Sequence, residues 1–142
     1  MAGGEVKIQT VWEDGMQFVA TGLGSQASFR MDAAPESGGA SQGVRPTEAL
    51  MSAVAGCSGM DILIVLRKMK QDVTGLTINV TGVRAEEYPR PVESATVEYI
   101  VRGRQVSEAS VARAVRLSET KYCGVMASLK ARITTSYRVE EE

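Results

Sequence analysis

The stretch from Pro46 to Leu66 constrains the fold more than any other segment of this chain. Pro46 suits a first helical turn, where its missing N–H costs no bond, and Glu48 in that turn complements the positive helix end. From there Leu50, Val54, Cys57, Met60 and Ile64 follow helical spacing, while Ile62, Val65 and Leu66 add apolar surface on other faces. A helix on a protein surface needs only one such stripe, so this one is expected to be central and packed on several sides. Its first half, Ser52-Ala-Val-Ala-Gly-Cys-Ser-Gly59, is made of small residues. Their cost in helix propensity makes sense if a second helix or a second subunit approaches closely there.

The segments around it alternate in ways that predict strands. Val6–Trp12, Met16–Thr21 and Ser25–Met31 read as three short strands of an antiparallel meander, broken at Glu13-Asp-Gly15 and around Gly22 and Gly24. Residues 32–44 are rich in Gly, Ser and Ala and are expected to form a flexible loop. Beyond the helix, Gly75 reads as the end of a connection, after which Leu76, Ile78 and Val80 alternate with Thr77, Asn79 and Thr81. Ala95, Val97 and Tyr99 mark a further strand. Ser107 is placed to cap a helix with Val111, Ala114, Val115 and Ser118 on one side. Gly124 interrupts this region, Val125–Ala131 supplies one or two more turns, and Arg132–Val139 closes the chain as a strand. The order β-β-β-α-β-β-α-α-β predicts an α+β fold rather than a parallel nucleotide-binding sheet.

A chain of 142 residues is expected to be one domain, 1–142, with a real core. Its formal charge of -1 comes from interspersed signs, with no stripe suited to tracking phosphates, so nucleic acid is not expected as a partner. Met1–Thr10 lacks the apolar core of a signal peptide, and no apolar run reads as membrane-spanning, so a cytoplasmic protein is expected. The absence of histidine removes the usual general base of serine and cysteine hydrolases. Without histidine or a CxxC pair a zinc site is hard to assemble, and neither metal nor cofactor is expected.

The chemistry therefore rests on Cys57 and Cys123. Composition alone makes Cys57 a small core residue. Against that stand Gly56 and Gly59 around it and the carboxylate of Asp61 one turn on, in an otherwise apolar helix. That carboxylate raises a thiol pKa rather than activating it, and it is either a buried partner for a backbone or arginine group or the mark of a solvent-facing stripe. Cys123 is easier to activate if Gly124 starts a helix, whose free N–H groups favour thiolate. Arg45, with Glu48 to orient it, is the best nearby candidate in sequence for a cation at Cys57, although the same pair also reads as an ordinary surface ion pair at a helix start. The nine steps from Glu48 to Cys57 turn a straight helix through about 900° and rise about 13 Å, so one helix does not place that carboxylate at that thiol. A kink, a long reach by Arg45 or a second subunit is required. Met51, Met60 and Leu63 suggest an apolar approach to Cys57.

The run Arg45-Pro-Thr-Glu-Ala-Leu-Met-Ser-Ala-Val-Ala-Gly-Cys-Ser-Gly-Met-Asp61 resembles the central-helix signature of the OsmC/Ohr superfamily of osmotically inducible and organic-hydroperoxide-resistance proteins. Ser118-Glu-Thr-Lys-Tyr-Cys-Gly-Val-Met126 and Ile133-Thr-Thr-Ser-Tyr137 resemble its second signature and closing strand, so the likeness spans Val6 to Val139. It implies an intertwined homodimer with antiparallel sheets around a long central helix and two active sites at the subunit boundary. It also implies a thiol peroxidase acting on organic hydroperoxides. Cys57 then matches the peroxidatic cysteine, Cys123 the resolving cysteine and Glu48 the carboxylate that orients a catalytic arginine. An external dithiol or a lipoyl-protein closes such a cycle. In the well-studied branches the arginine comes from an early loop, and Trp12-Glu-Asp-Gly-Met16 has none, so Arg45 is the expected replacement. The chain looks closer to the less characterised OsmC-like branch, for which a non-catalytic or ligand-binding dimer with structural cysteines is the competing expectation.

Overall fold

A computed structural model describes residues 4–142 of the chain. It is an α+β structure whose elements follow the order read from the sequence: β1 (Ile8–Asp14), β2 (Gln17–Gly22), β3 (Ser28–Met31), α1 (Pro46–Lys68), β4 (Asp72–Arg84), β5 (Val92–Arg104), α2 (Glu108–Leu117), α3 (Gly124–Ala127) and β6 (Arg132–Glu141). A 3-10 turn at Pro35–Ser37 and a π turn at Ser118–Tyr122 complete it. The chain divides into two compact units, Met1–Leu50 and Met51–Glu142.

The first unit is the expected meander. β2 pairs antiparallel with both β1 and β3, in the order β1-β2-β3. Gly15, at φ +53°, makes the β1–β2 turn, and its carbonyl accepts the indole N–H of Trp12 at 2.8 Å. After β3 the buried carboxylate of Asp32 accepts the N–H groups of Ala33, Ala40 and Gln42, at 2.7, 3.1 and 3.1 Å. The Gln42 N–H bond is the main force holding this carboxyl below its ordinary pKa, with burial opposing it.

The second unit carries the core. β4 and β5 form a long antiparallel pair, and β6 adds to β5 in parallel. The parallel step departs from the all-antiparallel expectation, and the helical segment between β5 and β6 supplies the crossover it needs. β4 also starts earlier than expected, at Asp72. A register shift between Val73 and Gly75 absorbs Thr74 as a bulge, which is why Gly75 sits inside a strand instead of ending a loop. Ser107 caps α2 as expected, accepting the Ser110 N–H at 3.1 Å.

The buried side of α1 is Val54, Ser58, Gly59, Ile62 and Leu66, of which Val54, Ile62 and Leu66 pack in one cluster with Val97, Tyr99 and Val101 of β5 and Val111, Ala114 and Val115 of α2. This differs from the stripe read by spacing, since Met60 is 67% and Ile64 51% exposed. Shape decides the difference. A Cβ on Gly59 would stand 2.6 Å from Ile78 Cδ1 of β4, so the face that carries the small Ser58 and Gly59 is the one that turns to the sheet, with Ile62 and Leu66 beside them. By length and composition alone α1 could cross a bilayer, contrary to the sequence reading, while its Val54, Ile62 and Leu66 are buried in this core.

Gly59→Ala is expected to destabilise the fold by up to about 2 kcal/mol, overpacking of about 1–3 kcal/mol being offset by about 1 kcal/mol of helix propensity. Urea unfolding would show this as a lower midpoint at unchanged slope.

Candidate active site

The two cysteines, 66 positions apart in sequence, meet in the second unit. Cys57 is half-buried on α1 and Cys123 is buried between the π turn and α3. Their sulfur atoms and a carboxylate oxygen of Asp61 all lie within 4.8 Å of one another. Cys57 and Asp61 share one face of α1 because they are four residues apart, a little over one turn.

Local structure brings Cys123 to them. In the π turn the Cys123 N–H bonds the carbonyl of Ser118 at 2.8 Å, a five-residue step that presents residues 118 and 123 to the same neighbour. Ser118 Oγ donates to Asp61 Oδ2 at 3.0 Å. Asp61 therefore has a hydroxyl partner, neither the backbone or arginine group nor the solvent stripe that its position suggested. Cys123 also caps α3, and its Sγ accepts the Met126 N–H at 3.4 Å. Gly124 thus does begin a helix, although a short one.

The electrostatics of the cluster do not favour two thiolates. Burial pushes the Cys123 thiol above its ordinary value of 9.0, the Met126 N–H works the other way, and the neighbouring Cys57 adds to the rise. Beneath them Tyr99 is fully buried, its phenol pushed up to about 12 by burial, relieved by a hydrogen bond with Ser58. Cys123, Glu119 and Asp61 add negative potential there. A neutral Tyr99 gives the site an uncharged floor.

Arg45 and Glu48 belong to the first unit. Glu48 Oε1 accepts the backbone N–H of Arg45 at 2.8 Å, the returning half of a capping box at the start of α1. Its hydrogen bond is to the backbone of Arg45 and not to the guanidinium. Both side chains are exposed. Of the expected apolar approach, Met60 is exposed while Met51 and Leu63 are half-buried. A cavity of about 380 Å³ opens elsewhere beside Asp61, walled by Ile64, Val65, Met69 and Leu117 and carrying Lys68 and Arg113. Sequence reasoning did not single out Ser118 as a site residue, and a polar position on the otherwise apolar side of α2 was the available signal.

Comparison with known proteins places these features in a wider set. The sequence model of the OsmC-like protein family matches residues 38–138. Protein YhfA of Escherichia coli strain K12 is 37% identical over 130 residues, 90% of this chain and 93% of that protein. A solved structure from Aquifex aeolicus VF5 superposes with a TM-score of 0.85 at 25% identity, covering 99% of each chain. An organic hydroperoxide resistance protein from Elizabethkingia anophelis, 12% identical, gives a TM-score of 0.66 over 100% of both chains, a likeness of fold alone.

With Cys123 as the sole thiol, in a Cys57→Ser variant, alkylation by iodoacetamide is expected to be slow at pH 8. Its rate should keep rising beyond pH 9, because burial, the leading cause of the raised pKa, persists in the variant. Plots of rate against pH would show the inflection above that of a free thiol.

Proposed function

Because the chain belongs to the OsmC-like protein family, we propose that it is a thiol peroxidase that reduces organic hydroperoxides. The observation that carries this reading is the juxtaposition of Cys57 and Cys123 within 4.8 Å, with Cys57 the more accessible of the two. Cys57 thiolate attacks the distal peroxide oxygen, the O–O bond breaks, and the departing alkoxide takes a proton to become an alcohol. Cys57 is left as sulfenic acid. Cys123 then attacks the sulfenic sulfur, its thiol proton and the sulfenic hydroxyl leave as water, and a disulfide forms. The sulfurs have to close to about 2.05 Å, a side-chain and short-turn movement at the π turn–α3 junction. An external dithiol or lipoyl-protein returns both cysteines to thiols, in the reducing cytoplasm where such a cycle is sustained.

The same reading includes a homodimer. Leu50, Met60 and Ile64 of α1 and Val11, Trp12, Phe18 and Phe29 of the first sheet are exposed in the single chain. Exposed large apolar side chains such as these, in each unit, support a partner-covered surface. Within the dimer Arg45 stabilises the Cys57 thiolate, its backbone fixed by Glu48, and replaces the arginine that other branches take from an early loop. The preferred oxidant in this reading is an alkyl hydroperoxide rather than hydrogen peroxide, supported by the apolar walls of the cavity beside Asp61.

Intact-mass analysis after one equivalent of tert-butyl hydroperoxide is expected to show loss of two mass units from a Cys57–Cys123 disulfide. Cys57→Ser should abolish turnover, and Cys123→Ser should oxidise once and stall at sulfenic acid. Arg45→Ala should slow oxidation roughly tenfold or more, as expected for one charge-assisted contact of about 1.5–3 kcal/mol made in the transition state. No mass change in the wild-type protein would return both cysteines to a structural role in a non-catalytic dimer. Sedimentation at low micromolar concentration should give a dimer with an interface above roughly 2,000 Å²; a monomer would remove the cross-subunit role of Arg45.

A further inference from the structure

We propose that the reduced protein binds one thiophilic divalent cation of the zinc and cadmium class per chain, through Cys57 Sγ, Cys123 Sγ and the carboxylate of Asp61. Three donor atoms already converge within 4.8 Å. A tetrahedral ion about 2.3 Å from each sulfur and about 2.0–2.2 Å from a carboxylate oxygen would draw them to separations of roughly 3.5–4 Å, a contraction that rotations about χ1 and χ2 supply.

Three features make this more than proximity. Cys57 and Asp61 stand four residues apart on α1, the spacing by which one helix face presents two ligands to one ion. Asp61 is held by Ser118 Oγ at 3.0 Å, the outer hydrogen bond that orients a ligating carboxylate. Cys123 Sγ receives the Met126 N–H at 3.4 Å, which supports a thiolate. Two thiolates select a soft or borderline cation over magnesium or calcium. Three protein donors leave one coordination position, and the half-buried state of Cys57 and Asp61 opens it to water or an external thiol. The absence of histidine and of a CxxC pair hid this set in the sequence, because the fold alone joins residues 57 and 123.

Binding is a proton exchange: two thiols and one carboxylate take up the dication and release two protons, leaving a complex of net charge minus one. The site and the disulfide exclude each other, since oxidation consumes both thiolates. A bound ion therefore guards the thiols against oxidation, and oxidation ejects the ion. None of this depends on peroxide turnover.

The test uses the full reduced chain titrated with cadmium ion alone, followed by calorimetry and by the ultraviolet thiolate-to-cadmium charge-transfer band. One ion per chain is expected, with about two protons released, as read from the dependence of the heat on buffer ionisation. Asp61→Asn, nearly isosteric, should weaken binding at least tenfold, and Ser118→Ala by roughly tenfold. Wild-type protein oxidised to the disulfide should bind no cadmium, a control that needs no cysteine substitution. Absence of the band in reduced protein, release of fewer than two protons, or equal affinity in wild type and a natively folded Asp61→Asn would overturn the proposal.

Discussion

The close approach of α1 to β4 at Gly59 sets the position of everything chemical in this protein. With no Cβ at residue 59, the helix lies against Ile78, and its Val54-Ser58-Ile62-Leu66 face enters the core shared with β5 and α2. Cys57 and Asp61 project from the adjoining side of the same helix, so their distance to the segment after α2 is fixed by that packing. Interiors packed at crystal-like density transmit small displacements instead of absorbing them. A shift of α1 by the width of a methyl group would be felt at both sulfurs.

The site combines groups that resist sharing negative charge. Asp61 is a carboxylate beside two thiols, and burial already disfavours ionisation of Cys123. Such a trio is at ease with one anion and strained with three, unless a cation or an arginine joins it. The Ser118 hydroxyl and the Met126 N–H are two donors that the fold itself contributes. Both come from the short stretch between α2 and β6, so the chemistry of α1 is tuned from outside α1.

Much of this was readable in the residues. Alternation in Leu76-Thr-Ile-Asn-Val80, the Ser107 cap and the Pro46 start each obey a local rule, and each element formed accordingly. What escaped was what depends on partners distant in sequence. The bulge at Thr74 follows from register with Gly103 and Arg102, and the parallel direction of β6 follows from how the helices cross over. The buried face of α1 turned toward Ser58 and Gly59 because the sheet selects for size as well as for hydrophobicity. The bond from Ser118 to Asp61 spans 57 positions, and no spacing rule reaches that far. The likeness of the cysteine segments to a known family carried the pairing of Cys57 with Cys123, which no periodicity contained.

The π turn at Ser118–Tyr122 works as a ruler between two contacts. On α1 the paired groups, Cys57 and Asp61, are four residues apart, whereas opposite them Ser118 and Cys123 are five apart. The extra residue of the π turn reconciles the two intervals. Rewinding the same residues as an ordinary α turn would swing residue 123 by about 100° around the axis. The hydroxyl could still reach its carboxylate, but the thiol would then face away from its partner. The winding of this turn is thus what keeps the two contacts in step, although the side chains it carries, Glu119, Thr120 and Lys121, are exposed.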